Sequence, residues 1–363
     1  MVTGNKGSWS EFYTLVKLLA DGKVYAADKD LKRKENLFYV ILKILRSDKT
    51  NLEFLRDSFI LIQNSQGERI SEISIDEMIE FSNRIYEGIT TSQRGERAFS
   101  IPNSDDIFST LHLSNLSDNT QSKSDIRIVI HDPITQFEPL LGFSIKSYLG
   151  SNPTLFNSSK LTNIIYKIRG DISKSEFLKI NELSTYTKRI QYLKNHKYEF
   201  NFHSYADERF KSNLELIDSR LPEILSYIVL YKYLDGESIM NDLVKKLNEL
   251  NPCNFNTKEN PYFYSYKIKR MLVDVALGLL PREVWTGVYD ATGGYIVVKK
   301  DGDIVCFHIY NWNEFQEYLL NHTKIESPDS SPNRCNFGRL LTAEEINETQ
   351  GTYIKLNFQI RFR

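Results

Sequence analysis

An aspartate and a lysine on two neighbouring apolar runs are, by residue type, the part of this sequence best equipped for chemistry. Asp125 opens a run in which Ile126, Ile128 and Ile130 alternate with Arg127, Val129 and His131. Lys146 closes a second run, in which Phe143 and Ile145 alternate with Ser144 and Lys146. Period-two alternation of β-branched and aromatic residues predicts strands. Paired as an antiparallel hairpin, they bury the three isoleucines with Leu141, Phe143 and Ile145 on one face. A one-residue slip would turn a whole strand over, so the apolar match also constrains the polar face. There Asp125 falls opposite Lys146 or Ser144, depending on a two-residue slip. The Asp125 carboxylate and a main-chain carbonyl such as that of Ile145 are hard oxygen ligands for Mg²⁺. Such an ion polarises a phosphate and lowers the pKa of a bound water. Lys146 would orient that water or stabilise the developing charge. The chemistry is phosphodiester hydrolysis. As a plain cross-strand contact the same pair contributes well under ~1 kcal/mol, so its spacing alone assigns nothing.

Other elements must position this pair. Residues 8–20 read as a helix with Trp9, Phe12, Val16 and Leu19 as its apolar stripe and Ser8 as its cap. Glu11 lies in its first turn, where it favours the helix dipole and completes the metal site if the helix packs beside the sheet. Charged residues 29–35 read as a solvated connection, 37–45 as a buried strand or helix, 56–63 as a strand and 74–88 as a helix. The polar stretch 89–124 reads as loop with a short helix near Asp105 to Leu113. After the hairpin, 159–168 and 172–195 read as helical and 198–205 as a strand, all around one mixed sheet. Residues 206–285 read as mainly helical, with a long helix over 207–234. Residues 294–310 form a hairpin turning at Asp301-Gly302, a helix covers 313–320, and one strand spans 352–362. The expected fold class is α/β, an α+β mixed sheet. The expected domains are a nuclease-type core over 1–205 and a helical and β-hairpin region over 206–363.

Composition narrows the classes. With 363 residues and 41% apolar content the chain can bury a substantial core. It has no apolar run of membrane length and no apolar signal core at its start, so no membrane role is expected. Three widely spaced cysteines, Cys253, Cys306 and Cys335, form neither a disulfide framework nor a zinc knuckle. A reduced cytoplasmic protein is expected. A net charge of −1 argues against a generally basic nucleic-acid coat and permits a local basic cleft. No phosphate-binding glycine loop, dinucleotide fingerprint or nucleophile elbow is present.

The arrangement Asp125 … Ser144-Ile145-Lys146 resembles the PD-(D/E)XK nuclease signature. Longer blocks go further. GNKGSWSEFYTLVKLLADGKVYAAD, GFSIKSYLGSNPTLFNSSKLTNIIYKI, GGYIVVKKDGDIVCFHIY, EYLLNHTKIESP and YIKLNFQIRF resemble the HpaII family of type II restriction endonucleases. The resemblance implies a PD-(D/E)XK core with helical additions and a C-terminal β-hairpin region. It implies a bacterial cytoplasmic enzyme that cuts double-stranded DNA at a short palindrome with Mg²⁺. CCGG is the leading target, and a companion DNA methyltransferase protects the same site. Palindromy favours a homodimer. Asp125 matches the motif's aspartate and Lys146 its lysine. Ser144 stands where the motif usually carries a carboxylate, so an anion is missing. Glu11, Asp132 or Glu138 would supply it, and Glu11, on an early helix, is favoured. The metal set is then Asp125, Glu11 and the Ile145 carbonyl. For base contacts the candidates are Arg334 and Arg339 in a late polar loop and Asn157, Thr162 and Asn163 after the catalytic strand. The rival readings are a repair or structure-specific nuclease of the same core and a catalytically weakened DNA-binding protein.

Overall fold

The computed structural model describes residues 2–93, 97–118 and 124–363. The expected polar loop over 89–124 thus lies partly outside the described residues. In chain order the elements are α1 (Lys6–Asp21), β1 (Lys23–Ala27), β2 (Arg33–Ser47), β3 (Asn51–Arg56), β4 (Ile60–Asn64), β5 (Arg69–Ile73), α2 (Ile75–Thr91), α3 (Asp105–Thr110), β6 (Ile126–His131) and β7 (Leu140–Ser147). Then come β8 (Thr154–Phe156), β9 (Ile164–Arg169), α4 (Lys174–Glu182), α5 (Tyr186–Asn195), β10 (Glu199–Tyr205), α6 (Glu208–Ile217), α7 (Leu221–Asp235), α8 (Met240–Leu250) and α9 (Phe263–Leu277). The chain ends with β11 (Gly294–Val298), β12 (Ile304–Phe307), α10 (Trp312–His322), β13 (Thr323–Glu326), β14 (Leu340–Thr342), β15 (Thr352–Leu356) and β16 (Gln359–Phe362). The class is mixed α/β, as expected. Among the described residues no helix is long and apolar enough to cross a membrane.

The chain divides into two compact units. The first comprises Met1–Pro153 and Tyr289–Tyr318, the second Thr154–Val288 and Leu319–Arg363. A single boundary at 205/206 was expected; the observed division falls earlier and the chain crosses it three times.

In the first unit nine strands form one sheet in the order β1-β12-β11-β7-β6-β2-β3-β4-β5. β6 is antiparallel to both β2 and β7, and β7 is parallel to β11. Ile126, Ile128 and Ile130 are buried on the face that also carries Phe143 and Ile145. Helix α1 contributes Trp9, Phe12, Val16 and Leu19 to the same core. Each such side chain stabilises the fold by roughly 1.5–3 kcal/mol on burial. The Trp9 indole donates to the Phe99 carbonyl at 3.0 Å, and the rings of Phe12 and Phe108 stack at 4.6 Å. Asn5, not Ser8, caps α1: its side chain accepts from the Ser8 N–H, which lies one turn inside the helix.

The second unit holds a four-stranded sheet, β10-β9-β15-β14, and a three-stranded sheet, β13-β16-β8. Here the elements differ from those expected. Residues 159–168, expected as a helix, form only a 3-10 turn at Lys160–Thr162 and then strand β9. Ile164, Ile165 and Tyr166 are buried in succession because the strand is covered on both faces, which hides the period-two signal. Strand β10 therefore joins β9 rather than the hairpin's sheet. The expected strand over 352–362 breaks at Asn357 and Phe358 into β15 and β16, which serve different sheets. The expected long helix is two, α6 and α7, broken before Pro222. In the first unit, 56–63 contains a turn between β3 and β4.

Gly294 shows how tightly β11 is held beside β12. Its φ is +110°, and an added Cβ would lie 2.0 Å from the Phe307 carbonyl oxygen. Gly294→Ala is expected to cost more than about 2 kcal/mol. Thermal unfolding checks this, and an unchanged melting temperature would contradict the packing described.

Candidate active site

The hairpin register selects one of the two pairings open from the sequence. Ile126 pairs with Phe143 and Ile128 with Leu141, which leaves Asp125 beside Ser144. The Asp125 N–H donates to the Phe143 carbonyl at 2.9 Å. Past that bond β6 no longer accompanies β7, while Ser144–Ser147 continue along β11. One edge of β7 is thereby turned toward the Asp125 side chain. The Ile145 N–H donates to Asp125 Oδ2 at 2.6 Å, and the Ser144 hydroxyl donates to the same oxygen at 3.1 Å. In a strand the N–H and C=O of one residue leave from the same edge, so the Ile145 carbonyl also faces the Asp125 side.

Lys146 is partly exposed, with its ammonium 6.0 Å from the centroid of the buried Tyr295 ring on β11. Glu11 joins the group from α1. Its Oε2 accepts from the Ser117 hydroxyl at 3.0 Å. Burial chiefly, and then the charge of Asp125, raise the Glu11 carboxyl above its ordinary 4.5; Ser117, Lys146 and Arg46 offset this only in part.

Ser117 is held by the end of β2. The Asp48 carboxylate accepts from the Ser114 N–H and hydroxyl and from the Asn115 N–H and side chain, at 2.5–3.0 Å. The nearly buried Arg46 donates to the Asn115 carbonyl at 2.8 Å. Asp118 accepts from the Ser47 N–H at 2.9 Å and faces Arg127 at 3.4 Å. Ser117, Arg46, Asp48 and Asp118 escaped the sequence reading. Ser117 and Glu11 are 106 positions apart, and no local pattern joins them.

The two other acids considered are placed elsewhere. Asp132 is buried at the far end of β6, roughly 20 Å along the strand. There its carboxylate accepts from Ile134 N–H, the Thr135 hydroxyl and the Tyr310 hydroxyl. Glu138 is largely exposed, 3.7 Å from His131.

Could these residues hold a divalent cation? Two carboxylates and a main-chain carbonyl form a hard-oxygen set, and the repulsion that raises Glu11 is what a cation would relieve. Among the described residues no group of three His, Cys, Asp or Glu side chains is placed so that it could hold a metal ion. Ser144 spends its hydroxyl on Asp125.

Of the base-contact candidates, all in the second unit, Asn157 and Arg334 are exposed. Arg339 is paired with Glu345 at 2.7 Å. Thr162 and Asn163 are a correction: both are buried. Thr162 bonds to Asn357 and Ser159, and Asn163 to Cys335 and Asn357, so neither offers polar atoms to DNA.

Comparisons with known proteins cover the chain from end to end. The family model for the HpaII restriction endonuclease matches residues 5–362. The type II restriction enzyme HpaII of Haemophilus parainfluenzae is 42% identical over 366 residues, which is 99% of this chain and 98% of that protein. No solved structure matches.

The raised Glu11 carboxyl carries a testable sign. A raised pKa means that the folded state binds the proton more tightly than the unfolded chain. That contribution is fully present below the ordinary 4.5 and is lost as pH rises through the folded value. In metal-free buffer at neutral pH the ionised Glu11 therefore costs stability. Glu11→Gln is expected to melt higher than the wild type at pH 7.5, with the gap shrinking toward pH 4.5. A lower-melting variant, or a gap independent of pH, would contradict this.

Proposed function

The chain belongs to the HpaII restriction endonuclease family, and from that membership we propose that it makes Mg²⁺-dependent double-strand cuts in DNA at a short palindrome, CCGG. The observation that carries the reading is the Asp125 carboxylate, fixed by the Ile145 N–H and the Ser144 hydroxyl one residue before Lys146. On this basis the sheet of the first unit is read as a PD-(D/E)XK core. Glu11, Asp125 and the Ile145 carbonyl would hold the cation. When bound, Mg²⁺ supplies Lewis-acid polarisation of the phosphate and a lowered pKa for water.

The chain's own groups do the rest. Ile145 N–H and Ser144 hold Asp125 in one orientation. Lys146 places an ammonium where negative charge develops on the phosphate or orients the attacking water. Ser117 donates its hydroxyl to Glu11 and so helps fix that carboxylate. Ser144 acts through Asp125 as a positioning residue, which accounts for a neutral side chain at the motif's usual carboxylate. The anion that it lacks is assigned to Glu11.

The remaining parts of the reading follow from a restriction role. The partner is double-stranded DNA, and a methyltransferase modifies the same sequence to protect the host. A palindromic target favours a homodimer. The setting is the bacterial cytoplasm, and the C-terminal part, 206–363, contributes to DNA recognition.

A gel of plasmid DNA with and without Mg²⁺ tests the assignment. The wild type is expected to give discrete fragments only with Mg²⁺. Asp125→Ala and Lys146→Ala are expected to lower cutting by at least about 100-fold while keeping metal-free DNA binding. Glu11→Gln is expected to need more Mg²⁺ for the same rate. Full activity in the Asp125 or Lys146 variant would remove that residue from the site. Linear duplex left without discrete fragments would favour a structure-specific nuclease. Binding without cutting at every pH tried would favour a DNA-binding protein with lost catalysis.

A further inference from the structure

A cleft in the second unit of about 420 Å³ has a lining unlike that of an apolar ligand pocket. One wall is formed by Ser158 and Ser159, the other by residues 327–329 and 333–335, with Gln359 also lining the cleft. Asp329, Asn333 and Arg334 are exposed.

Both walls are pinned by one buried side chain. Asn357 is fully buried, and its four hydrogen-bonding positions are all used. Nδ2 donates to the Ser159 carbonyl at 2.8 Å and to Asn163 Oδ1 at 2.7 Å. Oδ1 accepts from the Phe358 N–H at 2.7 Å and the Thr162 hydroxyl at 3.1 Å. Asn163 in turn donates to the Cys335 carbonyl at 2.7 Å. A buried amide is tolerated only when it is satisfied in this way. The network therefore fixes the 158–159 wall relative to the 335 end of the other. That second wall is also tightly turned: the N–H groups of Arg334 and Asn336 both donate to the Ser331 carbonyl at 3.0 Å. The backbone of the cleft is thus held by hydrogen bonds while Asp329, Asn333 and Arg334 present their side chains to solvent.

The charges in this cleft are mixed. The Asp329 carboxylate accepts the Ser331 N–H at 2.9 Å and lies within the influence of the Arg334 charge. A phosphate would be repelled by Asp329. A guanidinium beside a carboxylate instead matches a surface that offers acceptors and a donor side by side. In the major groove a G·C pair offers guanine O6 and N7 as acceptors and the cytosine N4 amine as donor.

We propose that this cleft reads the edge of a G·C base pair, with Arg334 donating to guanine and Asp329 accepting from cytosine. The proposal rests on the reading of the chain as a site-specific endonuclease and adds the residues that give it specificity.

Metal-free equilibrium binding of the full chain tests this. The probes are a duplex carrying the site mapped by cleavage and duplexes in which one G·C pair at a time is replaced by A·T. The wild type is expected to discriminate against the altered duplexes. Arg334→Ala and Asp329→Asn are expected to lose roughly 10- to 100-fold of discrimination at one base pair, with binding to unrelated duplex changed less than about 3-fold. Two results would overturn the assignment: discrimination unchanged in both variants, or weakening equal on all duplexes with a shallower salt dependence, the behaviour of a phosphate contact. A wild type that neither cuts nor discriminates would overturn the endonuclease reading and this assignment with it. A discriminating wild type with discriminating variants overturns this assignment alone.

Discussion

The site depends on one backbone-to-side-chain hydrogen bond, from the Ile145 N–H to the Asp125 carboxylate at 2.6 Å. It exists because the β6–β7 ladder ends at the Ile126–Phe143 pair while β7 runs on to Ser147. The ladder ends with the Asp125 N–H on the Phe143 carbonyl, so the next outward-facing amide, that of Ile145, has no strand to meet on that side. A buried amide needs an acceptor, and Asp125 supplies it. The same requirement that keeps a sheet edge satisfied thus fixes a carboxylate next to Lys146. The register behind it is set by the pairing of Ile126 and Ile128 with Phe143 and Leu141. A slip of one residue would turn that apolar set into solvent.

Placing a second carboxylate within the influence of the first is electrostatically unfavourable. Glu11 sits half-buried on α1, with its carboxyl raised by burial and by Asp125. The fold holds it through a long-range clamp. Arg46, Ser47 and Asp48 at the end of β2 fix the segment that carries Ser117, and Ser117 bonds to Glu11. Such local destabilisation is a recurring property of sites that bind charge. Here it is offset by the aromatic and aliphatic packing of α1, where Trp9 and Phe12 are wholly buried.

The elements closest to the chemistry were the most legible in the sequence. Ile126, Ile128 and Ile130 alternate cleanly because only one face of β6 meets the α1 core. Trp9, Phe12, Val16 and Leu19 repeat at helical spacing for the matching reason. Strand β9 does not show in the sequence because Ile164, Ile165 and Tyr166 are all buried, and a strand covered on both faces has no alternation to show. Thr162 and Asn163 look by type like DNA contacts. Their burial against Asn357 joins residues almost 200 positions apart, which no local pattern encodes. Ser117 and Arg46 were invisible for the same reason. Only the family resemblance points to Glu11, and its electrostatic contact with Asp125 is a property of the folded chain alone.

Cleavage of a plasmid of known sequence by the purified chain, followed by sequencing of the fragment ends, bears on the central claim more directly than any other measurement. With Mg²⁺ present, all ends are predicted to fall within one short palindrome, CCGG, on both strands, and no ends are predicted without the metal. Ends scattered over unrelated sequences, or a plasmid left intact at every Mg²⁺ concentration, would contradict the account.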